Sequence, residues 1–220
     1  MGMDLVAIIE HNKTPKELLR IPQTLANANS VIDLFLNQHP HDTISQTKWR
    51  GPYKMTAENL IKIWEMEEND QEPHEIDGFN YDTDITSFFG SIRVNKHTIN
   101  ISPFPEHKYR NLSNPRSSKY VFTLYRQIAI LFNTKKIIYC VDSYCESSIL
   151  EEKSREGWKI EKIIELGNKL FGKPPKEINE AIANLYFIDE FDILLEQLDP
   201  QKRVWSRYEY EYQQKIKKNS

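Results

Sequence analysis

At 220 residues the chain has room for one large domain or two small ones, and 39% hydrophobic with 11% aromatic residues supplies a core and excludes a disordered polypeptide. Its longest apolar runs, such as Ile128 to Phe132, cover only a few positions, far short of the roughly 20 that a membrane-crossing helix needs, so no membrane partner is expected. The net charge of −3 is unevenly spread: residues 81–145 carry 9 bases against 4 acids, between acidic flanks, and such asymmetry bears on partners and not on fold.

The run LVAIIE, Leu5 to Glu10, is short, apolar and rich in β-branched residues, which predicts a strand. In TPKELL, Thr14 can cap a helix, Pro15 suits its first position and Glu17 completes a capping box. Pro22 interrupts this helix or starts the next, and residues 26–39 continue helically. Residues 39–53 read as a loop. Thr56 caps a helix running to about Glu67, with Leu60, Ile61, Ile63 and Trp64 on its apolar face. The acidic stretch 67–78 reads as an exposed loop or linker. FFGSIRV and HTINIS, separated by Asn95 and Lys96, predict a β-hairpin whose tight turn uses a positive φ at Asn95.

Helical spacing of Val121, Leu124, Tyr125, Ile128, Leu131 and Phe132 predicts a helix from about Pro115, closed by Asn133. Lys136 to Val141 is the next strand. Ser148 and Glu151 offer a second capping box, and Ile160, Ile163, Ile164, Gly167 and Phe171 share one helical face that Gly172 terminates. Residues 176–185 read as a further helix, residues 185–188 as strand or helix, and the tail YEYEY alternates like an edge strand. The expectation is an α+β fold, mostly helical, with a small mixed or antiparallel sheet containing a central β-hairpin. It is read as one domain over 1–220. A division would fall at 67–78, between an N-terminal β–α part (1–66) and a hairpin–helix–strand–helical part (79–220).

Few motifs carry chemistry. Asp142 follows the buried run IIYCV, where open sheets place ligands, which makes it the first catalytic candidate, with Ser143 and Cys145 beside it. A strand followed by a turn explains these residues more simply. Asp77, Asp82 and Asp84 have a spacing with which carboxylates hold Mg²⁺ or Mn²⁺, but a solvated turn accounts for them and no metal is expected. His39 and His41 lie in a polar loop. His41-Asp42-Thr43 has the His-x-Thr form used by two-histidine phosphoesterases, but His97-Thr98 has the wrong spacing for the second motif, so the match is read as chance. Neither GxGxxG, GxxxxGK[ST], GxSxG nor HExxH occurs.

The basic stretch 107–120 holds Arg110, Arg116, Ser117, Ser118 and Lys119, the last four in the first turn of the helix expected after Pro115. Such a turn attracts anions, so this segment is the expected place for an anionic ligand. The two cysteines are too few for a disulfide framework, and Asp4 with no basic stretch before the first apolar run argues against a secretory signal. A cytoplasmic location is expected.

Two readings follow. The first is a non-catalytic protein-binding domain, of the regulator, accessory-subunit or toxin-neutralising kind, with a protein partner and no cofactor. The alternative is a metal-dependent phosphoester-processing enzyme. In it Asp142 would act with Asp82 and Asp84, His97 or His107 would supply acid–base help, and the basic helix start would hold the phosphate.

Overall fold

The computed structural model describes residues 5–26, 48–51, 54–71, 75–87, 90–103, 109, 122, 125–141, 147–176 and 185–191. In chain order these give β1 (Leu5–Glu10), α1 (Pro15–Leu18), α2 (Ile21–Ala26), β2 (Lys48–Trp49), α3 (Ala57–Glu68), β3 (Glu75–Ile76), β4 (Phe79–Asn80), β5 (Asp84–Ser87), β6 (Gly90–Val94), β7 (Thr98–Pro103), β8 (Lys136–Val141), α4 (Ser148–Arg155), α5 (Ile160–Phe171) and β9 (Tyr186–Glu190). Residues 125–131 are also helical.

The sheet corrects the expectation of a mostly helical fold with a small sheet. Seven strands in the order β2-β5-β6-β7-β1-β8-β9 form one sheet, antiparallel at every pairing. The fold remains α+β, with the sheet as its organising layer. Three strands hide in the sequence for physical reasons. β2 is two residues long, and in β5 (DITS) the core residue Ile85 is the one apolar residue of that sequence. β9 (YFIDE) is apolar on both sides, a pattern that a buried helix turn shares. β3 and β4 make a separate small hairpin within and just after the acidic stretch 67–78, turning at Asp77 and Gly78, both at positive φ. Strands on either side of that stretch belong to the seven-stranded sheet.

Side chains alternate across a strand, and here both faces of the central strands are covered. Leu5, Ala7 and Ile9 of β1 join Ile137, Tyr139 and Val141 of β8 in one core, beneath Leu18, Leu25, Leu60, Ile63, Trp64 and Ile128. Val6, Ile8, Ile138 and Cys140 face the other way and meet Leu150 of α4 and Ile160 and Ile163 of α5. Burial on both sides is why β1 and β8 read as unbroken apolar runs, a habit more usual in parallel sheets. β7 differs: Ile99 and Ile101 enter the first core, while Thr98 and Asn100 are buried on the second face. That half of the second layer is therefore polar.

The caps show how local chemistry places the elements around this end of the sheet. Thr14 and Glu17 form the capping box of α1, and Thr56 accepts from the Asn59 amide at the start of α3. The second expected box is not formed. Ser147, not Ser148, precedes α4, and its hydroxyl accepts from the Val141 amide at 3.3 Å, tying the helix start to the end of β8. Gly157 adopts a positive φ just after α4, and a Cβ there would lie 2.8 Å from Glu68 Oε1. The positive φ is what favours a glycine here, since other residues rarely adopt it. Among the described residues no helix is long and apolar enough to cross a membrane.

Candidate functional site

The β6–β7 turn is where the chain's polar chemistry converges. The Asn95 amide donates to the Thr98 carbonyl at 2.9 Å, leaving Lys96 and His97 at the tip. Asn95 does not take the expected positive φ. It is fully buried, and its side chain donates to Thr98 Oγ1 (3.1 Å) and Ser154 Oγ (3.0 Å). Ser154 in turn donates to Asn100 Oδ1 at 2.6 Å. This network pins the hairpin to α4 and fixes the direction in which its tip projects.

His11, at the end of β1, reads the same turn. Its Nε2 lies 3.0 Å from the Asn95 carbonyl, which can only accept, so Nε2 carries the proton. Nδ1 accepts from the Lys13 amide at 3.3 Å. Both nitrogens of a neutral ring are thus engaged. Burial pushes its pKa down to about 4, with the nearby His97 and Lys13 acting in the same direction against the hydrogen bond to Asn95.

Beside this histidine opens a cleft of about 480 Å³, lined by His11, Asn12, Lys13 and Pro15 from the β1–α1 connection, Ile61, Trp64 and Glu65 from α3, Lys96 and His97 from the hairpin tip, and Lys159 before α5. Three lysines therefore face one glutamate across the opening. Lys96 is bound to Glu68 at 2.6 Å, a pair near the surface. Lys13 Nζ lies 5.8 Å from the Phe132 ring centroid, and Lys13 and Lys159 form no salt bridge with a described residue. Lys159 is the N-cap of α5, and its side chain makes no capping hydrogen bond. Ile61 supplies an exposed apolar wall, and Trp64 is fixed beneath it by its Nε1 donating to the Val94 carbonyl at 3.0 Å. Burial lowers the His97 pKa, and Lys96 and Lys159 lower it further, against an opposite pull from Glu68. Lysines outnumber the lining carboxylate, and an excess of one sign of charge in a cleft raises the local concentration of oppositely charged ligands.

A second charged region centres on β5 and β6. Arg93 of β6 is paired with Glu67 of α3 and lies 4.0 Å from Asp84 of β5. Arg50 stands 3.7 Å from Asp82 and 3.6 Å from Asp84, and Asp82 Oδ1 accepts from the Asp84 amide at 2.9 Å. Burial raises the Asp84 pKa, with Asp82 adding to the shift and the arginines opposing it. A third region, a cleft of about 550 Å³ along β9, contains Arg126 in a bidentate pair with Asp189 at 2.8 and 2.6 Å.

Of the residues singled out by sequence, His97 lies in the cationic cleft. Asp82 and Asp84 sit together in the arginine-paired cluster, and Asp84 is a half-buried strand residue, not part of a solvated turn. Asp142, Ser143 and Cys145, His107, the anion-binding set Arg110, Arg116, Ser117, Ser118 and Lys119, and His39 and His41 all lie outside the described residues. Among the described residues no group of three or more His, Cys, Asp or Glu side chains could hold a metal ion. Sequence reasoning missed Lys13, Lys159 and His11. Each sits at the boundary of a strong element, but no local spacing connects them, because only the sheet order brings the end of β1, the β6–β7 turn and the start of α5 together. The chain matches no protein-family model, no curated protein and no solved structure.

Proposed function

We propose that the chain is a binding protein that docks an acidic segment of a partner protein in the cleft between the β1–α1 connection, α3, the β6–β7 tip and the start of α5. The observation that carries this reading is the convergence of Lys13, Lys96 and Lys159 on one concave surface with Ile61 exposed in its wall. Cations would guide and orient a carboxylate-rich segment, and the α3 wall would take an apolar side chain beside it. By contrast, the described carboxylates of the phosphoester alternative, Asp82 and Asp84, face the guanidinium groups of Arg50 and Arg93 at 3.6–4.0 Å.

Affinity capture from native lysate tests the proposal when the original chain is compared with a Lys13→Glu/Lys96→Glu/Lys159→Glu variant. The expected result is a stoichiometric protein retained by the original and lost from the variant. Equal retention by both, or no stoichiometric partner at low salt, overturns it.

A further inference from the structure

We propose that His97 takes up a proton when an anionic segment occupies the cationic cleft, so that docking tightens as the pH falls. This rests on the reading of the cleft given above and adds a regulatory property to it.

His97 is held at the hairpin tip by its neighbours, its carbonyl accepting from the His11 amide at 3.1 Å. The charged groups around its ring come from every element that frames the cleft: Lys96 from its own turn, Lys159 from the start of α5, Lys13 and the neutral His11 from the β1–α1 connection, and Glu65 and Glu68 from α3. Glu68, bound to Lys96 at 2.6 Å, pulls the imidazole pKa up, against the two lysines. In the empty cleft the surroundings favour the neutral ring, because burial and two ammonium groups oppose a third cation there. Carboxylates laid against Lys96 and Lys159 reverse that balance. They neutralise Lys159, add to the carboxylate already on Lys96, and place negative charge beside the ring, which then accepts a proton from solvent on its unprotonated nitrogen. Linkage makes the effect reciprocal: what favours the proton on binding must favour binding on protonation.

His11 lines the same cleft but does not share this property. Nε2–H is committed to the Asn95 carbonyl and Nδ1 to the Lys13 amide, so a second proton would break a bond that the neutral ring makes. The two histidines thus divide the roles, one fixing the turn and the other sensing what lies against it.

The test is an NMR titration of the imidazole resonances of the intact chain between pH 5.5 and 8, with and without an acetylated oligo-aspartate peptide, whose carboxylates stay ionised above about pH 5. The expected result is an upward move of the His97 midpoint on saturation while His11, with its pKa held at about 4, stays neutral throughout. Peptide affinity should rise on acidification by about tenfold for each unit of that move, and His97→Gln should remove the dependence. Binding with an unmoved His97 midpoint, or a pH dependence that survives His97→Gln, overturns the proton uptake and leaves the docking reading standing. No binding at any pH overturns both. The titration on the original chain decides the matter even if the variant does not fold.

Discussion

Arg93 and Lys96 stand three residues apart on one hairpin, yet the fold treats their charges in opposite ways. Arg93 is 18% exposed and is matched to Glu67, itself 6% exposed, and to Asp84 across the strand pair. Burial works against its charge, but Glu67 with Asp84 and Asp82 more than offsets this and its pKa is raised. Lys96 is 41% exposed, has one partner near the surface, and borders a cleft where two further lysines form no salt bridge with a described residue. The first arrangement is a structural tie between α3 and the sheet. The second leaves positive charge facing outward. The difference separates charge that serves the fold from charge open to a partner, and it can be tested by breaking each in turn.

The largest effect is expected at the tie. Arg93→Met removes the guanidinium that Glu67 and Asp84 face, and removing one member of a buried pair costs about 3 kcal/mol or more. Equilibrium denaturation should show a lowered midpoint with little change in slope. Because paired removal spares the uncompensated charge, Glu67→Leu/Arg93→Met should recover part of the loss. A single variant as stable as the original would show that the pair is solvated and carries no structural role.

Acid should act through His11 next. An unfolded imidazole titrates near 6.5, whereas the folded ring is held at about 4. Above pH 7 both states are neutral and the difference contributes nothing. As the pH falls below 6.5 the unfolded chain binds a proton that the folded chain refuses, so stability is lost progressively down to about pH 4. The full loss from this residue is about 3 kcal/mol. His11→Gln, which removes the titrating ring, should flatten the stability profile between pH 7 and 4. An unchanged profile would place the acid sensitivity elsewhere.

How much of this was legible in the sequence depends on the range of the interactions involved. β1 and β8 were readable because burial on both faces leaves a continuous apolar signature, and the Thr14–Glu17 box because its chemistry is complete within four residues. α5 was readable from its apolar face and from Gly172 at its end. What escaped is set by contacts between distant segments. β5 is a strand because Arg93, Ser91 and Ile92 lie opposite it, not because DITS prefers one. Asn95 looks like a turn former but is a buried hub whose partners, Ser154 and His11, come from far along the chain. Of the cleft, His97 alone was singled out. The lysines that give it a charged setting meet through topology.

Gly167 offers a smaller test on the opposite face of the sheet, away from both charged regions. It lies inside α5, where alanine is normally the better residue by about 1 kcal/mol. A Cβ there would sit 3.0 Å from Cε2 and 3.2 Å from Cζ of Tyr186. That ring cannot easily retreat, since its hydroxyl donates to Asn168 Oδ1 at 2.9 Å or to the Gly172 carbonyl at 2.7 Å. Crowding should therefore outweigh propensity, and Gly167→Ala should destabilise by roughly 1–3 kcal/mol in the same denaturation assay. A stabilised variant would mean that the tyrosine moves freely.

The smallest effect on stability, and the sharpest on the comparison, is expected at Lys159. It is exposed, forms no salt bridge with a described residue, and precedes α5 without capping it through its side chain. A positive charge at a helix N-terminus is mildly unfavourable, so Lys159→Gln should leave stability within about 0.5 kcal/mol of the original or raise it slightly. Its effect should appear instead in two places that report on the cleft. Removing one of the two ammonium groups that depress His97 should raise that imidazole's midpoint in the unliganded chain, because the neutral ring loses one of its supports. Affinity for an oligo-aspartate peptide should fall, and its dependence on salt should weaken, because one fewer cation is neutralised on binding. A lysine that served the fold would give the reverse pattern, a lowered denaturation midpoint with peptide affinity and the His97 titration unchanged.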